Sequence, residues 1–202
     1  MNHNQETILI LGANGKTGGR IAQRLEAAGL PVRRGSRAAI PAFDWEDRST
    51  WDAALDGVHA VYISYQPDLA VPGALETVQA FTDLAVRNGV RKLVLLSGRG
   101  EHEAEQAERV VQNSGVDWTI LRASWFCQNF SEAHFLEPIL QGELALPVGN
   151  IAEPFMYLFT TVLDGRNTAV SDGVQRALGR PARDFTDYVQ RTAATAIWAS
   201  GD

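Results

Sequence analysis

The stretch Thr7-Ile8-Leu9-Ile10-Leu11-Gly12-Ala13-Asn14-Gly15-Lys16-Thr17-Gly18 decides the fold of this 202-residue chain. Its first five residues predict a buried strand, and a helical pattern follows the glycines. A phosphate group that lies against backbone requires a tight turn, no obstructing side chain and a helix start facing the anion. The stretch therefore predicts a nucleotide-phosphate site, with an ordinary glycine turn as the alternative. The predicted binding residues are Gly12, Asn14, Gly15, Lys16, Thr17 and Gly18.

The predicted second strand indicates which dinucleotide would bind. Proteins that prefer NAD carry an Asp or Glu about twenty residues after the first glycine, where it binds the ribose 2′-hydroxyl. No acid lies between Ala27 and Phe43, and residues 31–37 instead contain three arginines and a serine. Because guanidinium groups pair with phosphate, Ser36 and Arg37 are predicted to bind a 2′-phosphate. The pattern favours NADP(H) over NAD(H), with a solvated basic edge as the alternative.

Composition restricts the classes of function. The chain is 45% hydrophobic and 21% charged, which suits one sizeable α/β core, and no apolar run has the length that crosses a bilayer. The net charge of −6 argues against nucleic acid as the main partner. Cys127 is the only cysteine, which excludes an intrachain disulfide, and no secretory signal is visible before the first strand. We therefore expect a cytoplasmic protein without a membrane partner, acting on a small-molecule substrate.

Apolar runs alternate with helical patterns along the chain, as a doubly wound parallel sheet requires. The helical pattern over residues 101–114 carries four glutamates in its first eight residues, which favours the helix dipole. The fold class is predicted to be α/β: one Rossmann-like domain over residues 1–202, with a small, mostly helical C-terminal lobe (123–202) packed on it. The predicted strands are 7–11, 32–35, 42–45, 58–64, 92–96 and 118–121.

Ligands of such sheets bind at the carboxyl ends of the strands, and this rule selects the residues that follow each strand. An acid after the third predicted strand can accept a hydrogen bond from the adenine amino group. Residues 64–66 and 97–98 are expected to flank the ribose and the nicotinamide. Each position alone could be an ordinary loop residue, but together they support a cofactor role. The candidates are Asp44, Trp45, Ser64, Tyr65 and Ser97.

Five segments of the chain resemble the NmrA-like atypical short-chain dehydrogenases. They are Ser36-Arg37, Phe43-Asp44-Trp45, Leu96-Ser97-Gly98, residues 114–122 and residues 125–132. The G-x-x-G-x-x-G spacing is also typical of short-chain dehydrogenases, and the chain is most similar to the quinone oxidoreductase-like and agroclavine dehydrogenase-like branches. The resemblance covers residues 7–155 almost continuously and resumes over 157–198. It implies an NADP(H)-binding fold whose second lobe holds the substrate.

The C-terminal lobe departs from the family pattern. In relatives, further strand and helix separate the Glu153-Pro154-Phe155 segment from the last helices, whereas here Phe155 runs directly into Met156. The substrate lobe is therefore predicted to be shortened, with a pocket that is open or completed at a subunit interface. An apolar stripe at helical spacing is predicted to pack in the core, with a homodimer contact as the alternative. Its members are Phe185, Tyr188, Val189, Ala193, Ala196 and Ile197.

The chain lacks the usual catalytic pair of ordinary short-chain dehydrogenases, Tyr-x-x-x-Lys. Its four tyrosines, at positions 62, 65, 157 and 188, are followed four residues later by Gln, Leu, Thr and Thr. We therefore expect hydride transfer to an acceptor that needs little acid assistance, with any proton coming from solvent, Tyr65 or His102. An aromatic substrate wall is predicted, with core packing as the alternative for its last three members. These residues are Tyr65, Trp125, Phe126 and Phe130.

Two functions of different classes stay open. The resemblance implies an NADP(H)-dependent oxidoreductase that transfers hydride to a quinone-like or iminium acceptor. The alternative is a non-catalytic NADP(H)-binding redox sensor, which the missing Tyr-x-x-x-Lys pair and the shortened lobe favour. The four histidines show no metal-ligand spacing, so no metal site is expected.

Overall fold

A computed structural model describes residues 6–132, 135–142 and 156–199 of this chain. The chain divides into two compact units, Met1–Ala123 and Ser124–Asp202. In the first unit, strands alternate with helices, and a 3-10 turn at Arg48–Thr50 precedes the second helix. Its strands and helices are β1 (Thr7–Leu11), α1 (Lys16–Ala27), β2 (Val32–Gly35), α2 (Trp51–Leu55), β3 (Val58–Ile63), α3 (Ala74–Arg87), β4 (Lys92–Gly98), α4 (His102–Gln112) and β5 (Asp117–Ala123).

The five strands of this unit form one sheet in the order β2-β1-β3-β4-β5, and every neighbouring pair is parallel. The chain leaves β1 toward one edge of the sheet and crosses back to place β3 on the other side of β1. This reversal of direction creates a crevice at the carboxyl ends of β1 and β3, where ligands of doubly wound sheets bind. The predicted α/β Rossmann-like fold class is confirmed.

Both faces of the sheet are covered, as the near-continuous apolar strands require. One face carries the main core, in which four aromatic rings pack with centroids 4.9–6.3 Å apart. The other face packs against α1, where Ile10, Ala22 and Tyr62 form a second buried cluster. The four rings of the main core belong to Phe43, Trp45, Trp51 and Phe81.

The predicted strand over residues 42–45 is wrong, whereas the five other predicted strands are confirmed within one or two residues at each end. The backbone of this segment hydrogen-bonds to a loop and to a side chain and not to a neighbouring strand. The N–H of Phe43 donates to the carbonyl of Ser36 at 2.9 Å, and the carbonyl of Asp44 accepts from the indole of Trp51 at 2.6 Å. The apolar residues that resembled a strand are instead aromatic side chains that pack in the core.

The described residues of the second unit form short helical segments separated by turns and loops. Its helical segments are Asn129–Glu132, Leu136–Gln141, a π-helical turn at Leu158–Val162, Gly173–Leu178 and Phe185–Ala193. The predicted deletion point at residues 155–156 borders residues 143–155, which lie outside the described part of the chain. Across the described residues of both units, no helix combines the length and hydrophobicity that a bilayer-spanning segment requires.

Candidate functional site

The turn between β1 and α1 has the geometry of a phosphate cradle. Gly12 adopts φ +66°, which favours glycine, and its carbonyl accepts from the N–H of Gly15 at 2.8 Å. A Cβ at Gly18 would collide with the carbonyl oxygen of Gly12 and lie 2.7 Å from its carbonyl carbon and 2.9 Å from the carbonyl oxygen of Leu11. Only a residue without a side chain therefore lets α1 approach β1 this closely.

The start of α1 is open to an anion. Gly15 occupies the N-cap position and supplies no side-chain capping bond, so the free N–H groups of the first turn are not covered from that side. Asn14, Gly15 and Lys16 are exposed. Helix N-termini with these properties bind phosphate through backbone N–H groups and the helix dipole. The backbone of this turn therefore fits the pyrophosphate of a dinucleotide.

Thr17 has a partner inside the protein. Its side chain hydrogen-bonds with the phenol of Tyr62, while burial raises the pKa of Tyr62 above its usual value. This contact links the first turn of α1 to the centre of the sheet. It leaves the backbone of Thr17, rather than its hydroxyl, as the group best placed for phosphate.

The structure separates the three arginines near the end of β2. Arg33 donates to the carbonyls of Ala54 at 2.9 Å and Asp56 at 2.6 Å. Arg34 forms a two-point ion pair with Glu26, with nitrogen–oxygen distances of 2.8 and 2.7 Å. Arg37 is exposed and has no hydrogen bond or ion pair within the described residues. The sequence contributes three candidate phosphate ligands, and the fold leaves the guanidinium of Arg37 uncommitted.

Asp44 and Trp45 lie in the loop that covers the end of the main core. One carboxylate oxygen of Asp44 accepts from the N–H of Glu46 at 3.1 Å, which fixes the turn and leaves its other oxygen without a hydrogen bond to the described residues. The indole of Trp45 donates to the carbonyl of Ser64 at 3.2 Å, and its ring lies 5.0 Å from that of Tyr65. Trp45 thereby joins the loop to the end of β3.

Ser64 lies directly beside the glycine turn. Its side chain is buried, and its Oγ is 3.7 Å from the point where a Cβ at Gly12 would stand. The carboxyl end of β3 therefore borders the phosphate cradle, as the switch in strand order requires. The structure brings Ser64, Tyr65 and Trp45 together with the glycine turn at one edge of the sheet.

The end of β4 is held by a buried carboxylate. Ser97 Oγ donates to Glu108 Oε1 at 2.6 Å, and Arg122 donates to the same carboxylate from Nε at 2.8 Å and from Nη2 at 2.5 Å. This hydrogen bonding raises the pKa of the Arg122 guanidinium. Since Ser97 is paired with Arg122 across β4 and β5, Glu108 ties both strand ends to α4. The hydroxyl proton of Ser97, a predicted cofactor residue, is thus committed to the protein.

A second carboxyl group lies at the same strand end. Glu101, the N-cap residue of α4, makes no side-chain capping bond, and a side chain at Gly98 would collide with its carboxyl group. Burial, together with the negative charges of Asp68 and Glu103, raises the pKa of Glu101 from 4.5 to about 7. In the sequence, this glutamate is recognisable only as a favourable charge for the helix dipole. Its crowding with other acids could have been noted from the sequence, but its position over Gly98 could not.

Trp125 and Phe130 belong to an aromatic cluster within the second unit. Trp125 lies 5.7 Å from Phe135 and 6.0 Å from Phe159, and Phe130 lies 5.6 Å from Phe135. The indole N–H of Trp125 is buried without a hydrogen-bond partner in the described part of the chain. Packing alone does not explain this buried donor. Phe126 is 39% exposed. Their substrate role stays a prediction.

A groove of about 730 Å³ is lined only by residues of α3, of α4 and of the two positions after α4, so it lies in the helical layer and not at the strand ends. No group of three or more His, Cys, Asp or Glu residues that could hold a metal ion occurs among the described residues. The strand ends therefore carry the candidate site.

The fold and the glycine turn define a dinucleotide-binding protein of the Rossmann class. A family model described as NAD(P)H-binding matches residues 12–138. The chain belongs to this NAD(P)H-binding family, within the NmrA-like atypical short-chain dehydrogenases. The match covers the glycine turn and all the strand-end residues described above.

Two curated relatives are informative. Agroclavine dehydrogenase of Claviceps fusiformis is 37% identical over 208 residues, which cover 91% of this chain and 66% of that protein. Festuclavine synthase I of Penicillium roqueforti is 33% identical over 147 residues, which cover 62% of this chain and 50% of that protein. The chain thus spans between half and two thirds of the length of these relatives.

Solved structures that are similar over most of both chains include a reductase. Triphenylmethane reductase from Citrobacter sp., complexed with NADP(H), has a TM-score of 0.65 at 14% identity, over 95% of this chain and 99% of that chain. At this identity the likeness shows a shared fold. It agrees with the Rossmann class assigned from the sheet.

Proposed function

We propose that this protein is an NADP(H)-dependent oxidoreductase that transfers hydride to a quinone-like or iminium acceptor without a Tyr-x-x-x-Lys pair. The observation that carries the proposal is the open glycine turn with an uncommitted arginine beside it. When bound, the dinucleotide supplies the hydride. The chain's own groups bind its phosphates, orient its nicotinamide end at the strand ends and position the acceptor.

The preference for NADP(H) rests on Arg37. A 2′-phosphate adds two negative charges next to the adenine ribose, and an exposed guanidinium pairs with it through two parallel hydrogen bonds. Arg33 and Arg34 are less suited to this role, because their guanidinium groups already bond to backbone carbonyls and to Glu26. The hydroxyl of Ser36 lies one residue away and is the second proposed ligand.

The acceptor class rests on two observations. No tyrosine of the sequence is followed by a lysine at the fourth position, so a carbonyl that needs strong acid assistance is a poor substrate. Quinones and iminium ions accept hydride readily, so that correct positioning over the nicotinamide supplies much of the rate. The name of one relative, agroclavine dehydrogenase, is consistent with redox chemistry.

Calorimetric titration with NADPH, NADP⁺ and NADH tests the cofactor proposal. We expect Arg37→Ala to weaken NADPH binding by about tenfold to a hundredfold, because hydrogen bonds to charged groups contribute about 1.5–3 kcal/mol, and to leave NADH binding almost unchanged. The matched control is Arg34→Ala. It removes the same charge three residues before Arg37, but from a guanidinium that is already paired with Glu26. Equal losses for NADPH and NADH in Arg37→Ala would contradict the assignment.

A non-catalytic redox sensor is the second candidate. It is favoured by the hydroxyl of Ser97, whose proton is committed to Glu108, and by the missing Tyr-x-x-x-Lys pair. Consumption of NADPH with a panel of quinones and cyclic iminium ions separates the two candidates. A sensor binds both redox forms and turns over neither acceptor.

We also propose that the shortened lobe is compatible with a homodimer, although part of its predicted stripe packs within its own unit. Tyr188 hydrogen-bonds with Ser131 at 2.6 Å, and the ring of Phe185 lies 5.7 Å from that of Phe130. Phe185 nevertheless keeps 49% of its surface exposed. A light-scattering mass of twice the chain mass supports the dimer, and a monomer mass excludes it.

A further inference from the structure

Glu101 stands out because of where its carboxyl group lies. β4 is next to β3 and β5 in the sheet and ends at Gly98, on the edge where doubly wound sheets bind their ligands. The carboxyl group of Glu101 lies against the Cα of Gly98, so that any side chain at position 98 would displace it. Glycine at the strand end therefore makes room for this carboxyl group inside the site.

The carboxyl group of Glu101 is uncommitted within the described part of the chain. It makes no capping bond to α4, and the charged groups that act on it are Asp68, from the loop between β3 and α3, and Glu103, in the first turn of α4. Both are acids, so they disfavour ionisation of Glu101, and partial burial acts in the same direction. Its pKa of about 7 leaves a substantial fraction of Glu101 protonated near neutral pH.

The other candidate proton donors are less suitable. His102 is exposed and bonds to Gln106 through its Nε2 at 2.9 Å, and the ring of Tyr65 packs against Trp45. The hydroxyl proton of Ser97 is donated to Glu108. Glu101 thus combines a transferable proton with a position at the strand end.

We propose that Glu101 is the general acid that protonates the acceptor oxygen during reduction, a role that rests on the oxidoreductase function proposed above. The acceptor gains a hydride, and the reduced dinucleotide loses two electrons and one hydrogen. The O–H bond of Glu101 breaks as its proton passes to the acceptor oxygen, and solvent returns a proton to the carboxylate. A quinone needs this proton, whereas an iminium ion becomes a neutral amine through hydride alone. The acceptor class that this site serves is therefore one with an oxygen that gains a proton.

The test compares Glu101→Gln with wild type on a quinone and on a cyclic iminium ion, between about pH 5 and pH 9. With the quinone, we expect wild-type kcat to fall as the pH rises through about 7, because the acid must be protonated. Glu101→Gln should lose at least about tenfold in quinone kcat, with a flat profile, and keep its rate on the iminium ion. Glu105→Gln, the same change one turn further along α4, is the matched control and should behave like wild type.

A second variant probes the neighbouring charge. Asp68→Asn removes a like charge that faces Glu101, so the fall in quinone kcat should move to lower pH while the rate at low pH stays the same. A readout independent of turnover is the titration of the Glu101 carboxyl stretch by difference infrared spectroscopy, without dinucleotide. A carboxyl band that is absent from Glu101→Gln and disappears near neutral pH supports the assignment, and its disappearance near pH 4.5 contradicts it.

The outcomes distinguish the two proposals. If the wild type binds NADPH but oxidises it with neither acceptor, the oxidoreductase function fails, and the role of Glu101 fails with it. If the wild type reduces the quinone and Glu101→Gln does so equally fast with the same pH profile, only the role of Glu101 is overturned. Calorimetric NADPH binding by Glu101→Gln within about twofold of wild type shows that a lost rate is not a lost fold.

Discussion

Replacing Arg122 with leucine is expected to destabilise the protein by about 2–3 kcal/mol. Glu108 is only 2% exposed, and Arg122 supplies two of its three side-chain donors, at 2.8 and 2.5 Å. Hydrogen bonds to a charged group contribute about 1.5–3 kcal/mol each, but the Arg122 side chain is 51% exposed, and solvent screening reduces its share by roughly half. The remaining loss reflects a buried carboxylate that keeps, among the described residues, only the hydroxyl of Ser97 as a side-chain donor.

The assay is urea unfolding of the full chain, followed by far-ultraviolet circular dichroism and tryptophan fluorescence. The double variant Glu108→Gln/Arg122→Leu should be more stable than Arg122→Leu alone, because it leaves no buried charge without a partner. The control is Arg109→Leu, which breaks the exposed ion pair with Glu105 on the same helix, 4.0 Å apart, and should change stability by less than about 0.5 kcal/mol.

Two results would refute this reasoning. If Arg122→Leu costs no more than Arg109→Leu, the buried carboxylate does not depend on its guanidinium partner. If the double variant is less stable than Arg122→Leu, the penalty does not come from an unpaired charge.

Gly18→Ala should destabilise the fold by about 1–3 kcal/mol and abolish NADPH binding in calorimetry, because its Cβ meets backbone atoms, whereas Gly173→Ala, whose nearest contact would be at 3.8 Å, should be tolerated. Glu101→Gln should stabilise the protein by about 1 kcal/mol at pH 8 and have little effect at pH 4. The raised pKa of Glu101 gives the wild type a stability that is present below the unfolded pKa of 4.5 and is lost as the pH rises through about 7. Because the side chain is partly exposed, solvent screening reduces the size of this effect. An equal effect at both pH values would exclude this ionisation. Phe81→Ala should cost about 3–5 kcal/mol in urea unfolding because it empties the centre of the aromatic core, and a loss below about 1 kcal/mol would show that the core collapses around the gap.

Local patterns were sufficient for the frame of the fold. Strand β1, the glycine turn and the start of α1 follow from residues adjacent in sequence, and their backbone geometry is as predicted. The segment 42–45 shows where this reasoning fails. Its apolar residues are buried by an aromatic cluster and not by pairing in a sheet, and a sequence window cannot tell one kind of burial from the other.

The candidate site was predictable in position but not in its electrostatics. The carboxyl-end rule selected Ser64, Tyr65 and Ser97. It could not reveal that Ser97 donates to Glu108, which lies eleven residues later on α4. The four glutamates between residues 101 and 108 looked equivalent in sequence. In the fold, Glu108 is buried with an arginine, whereas Glu101 faces two other acids.

The sequence by itself determined the Rossmann class, the glycine turn after the first strand and the family, because these depend on glycine spacing and apolar periodicity, which are local along the chain. Only the tertiary structure decided which charges are free to act. It engaged Arg33 and Arg34 and left Arg37 uncommitted, and it paired Glu108 while placing Glu101 beside Asp68. The physical reason is that charge–charge energies and desolvation depend on distances through space and on burial, which residues far apart in sequence set together.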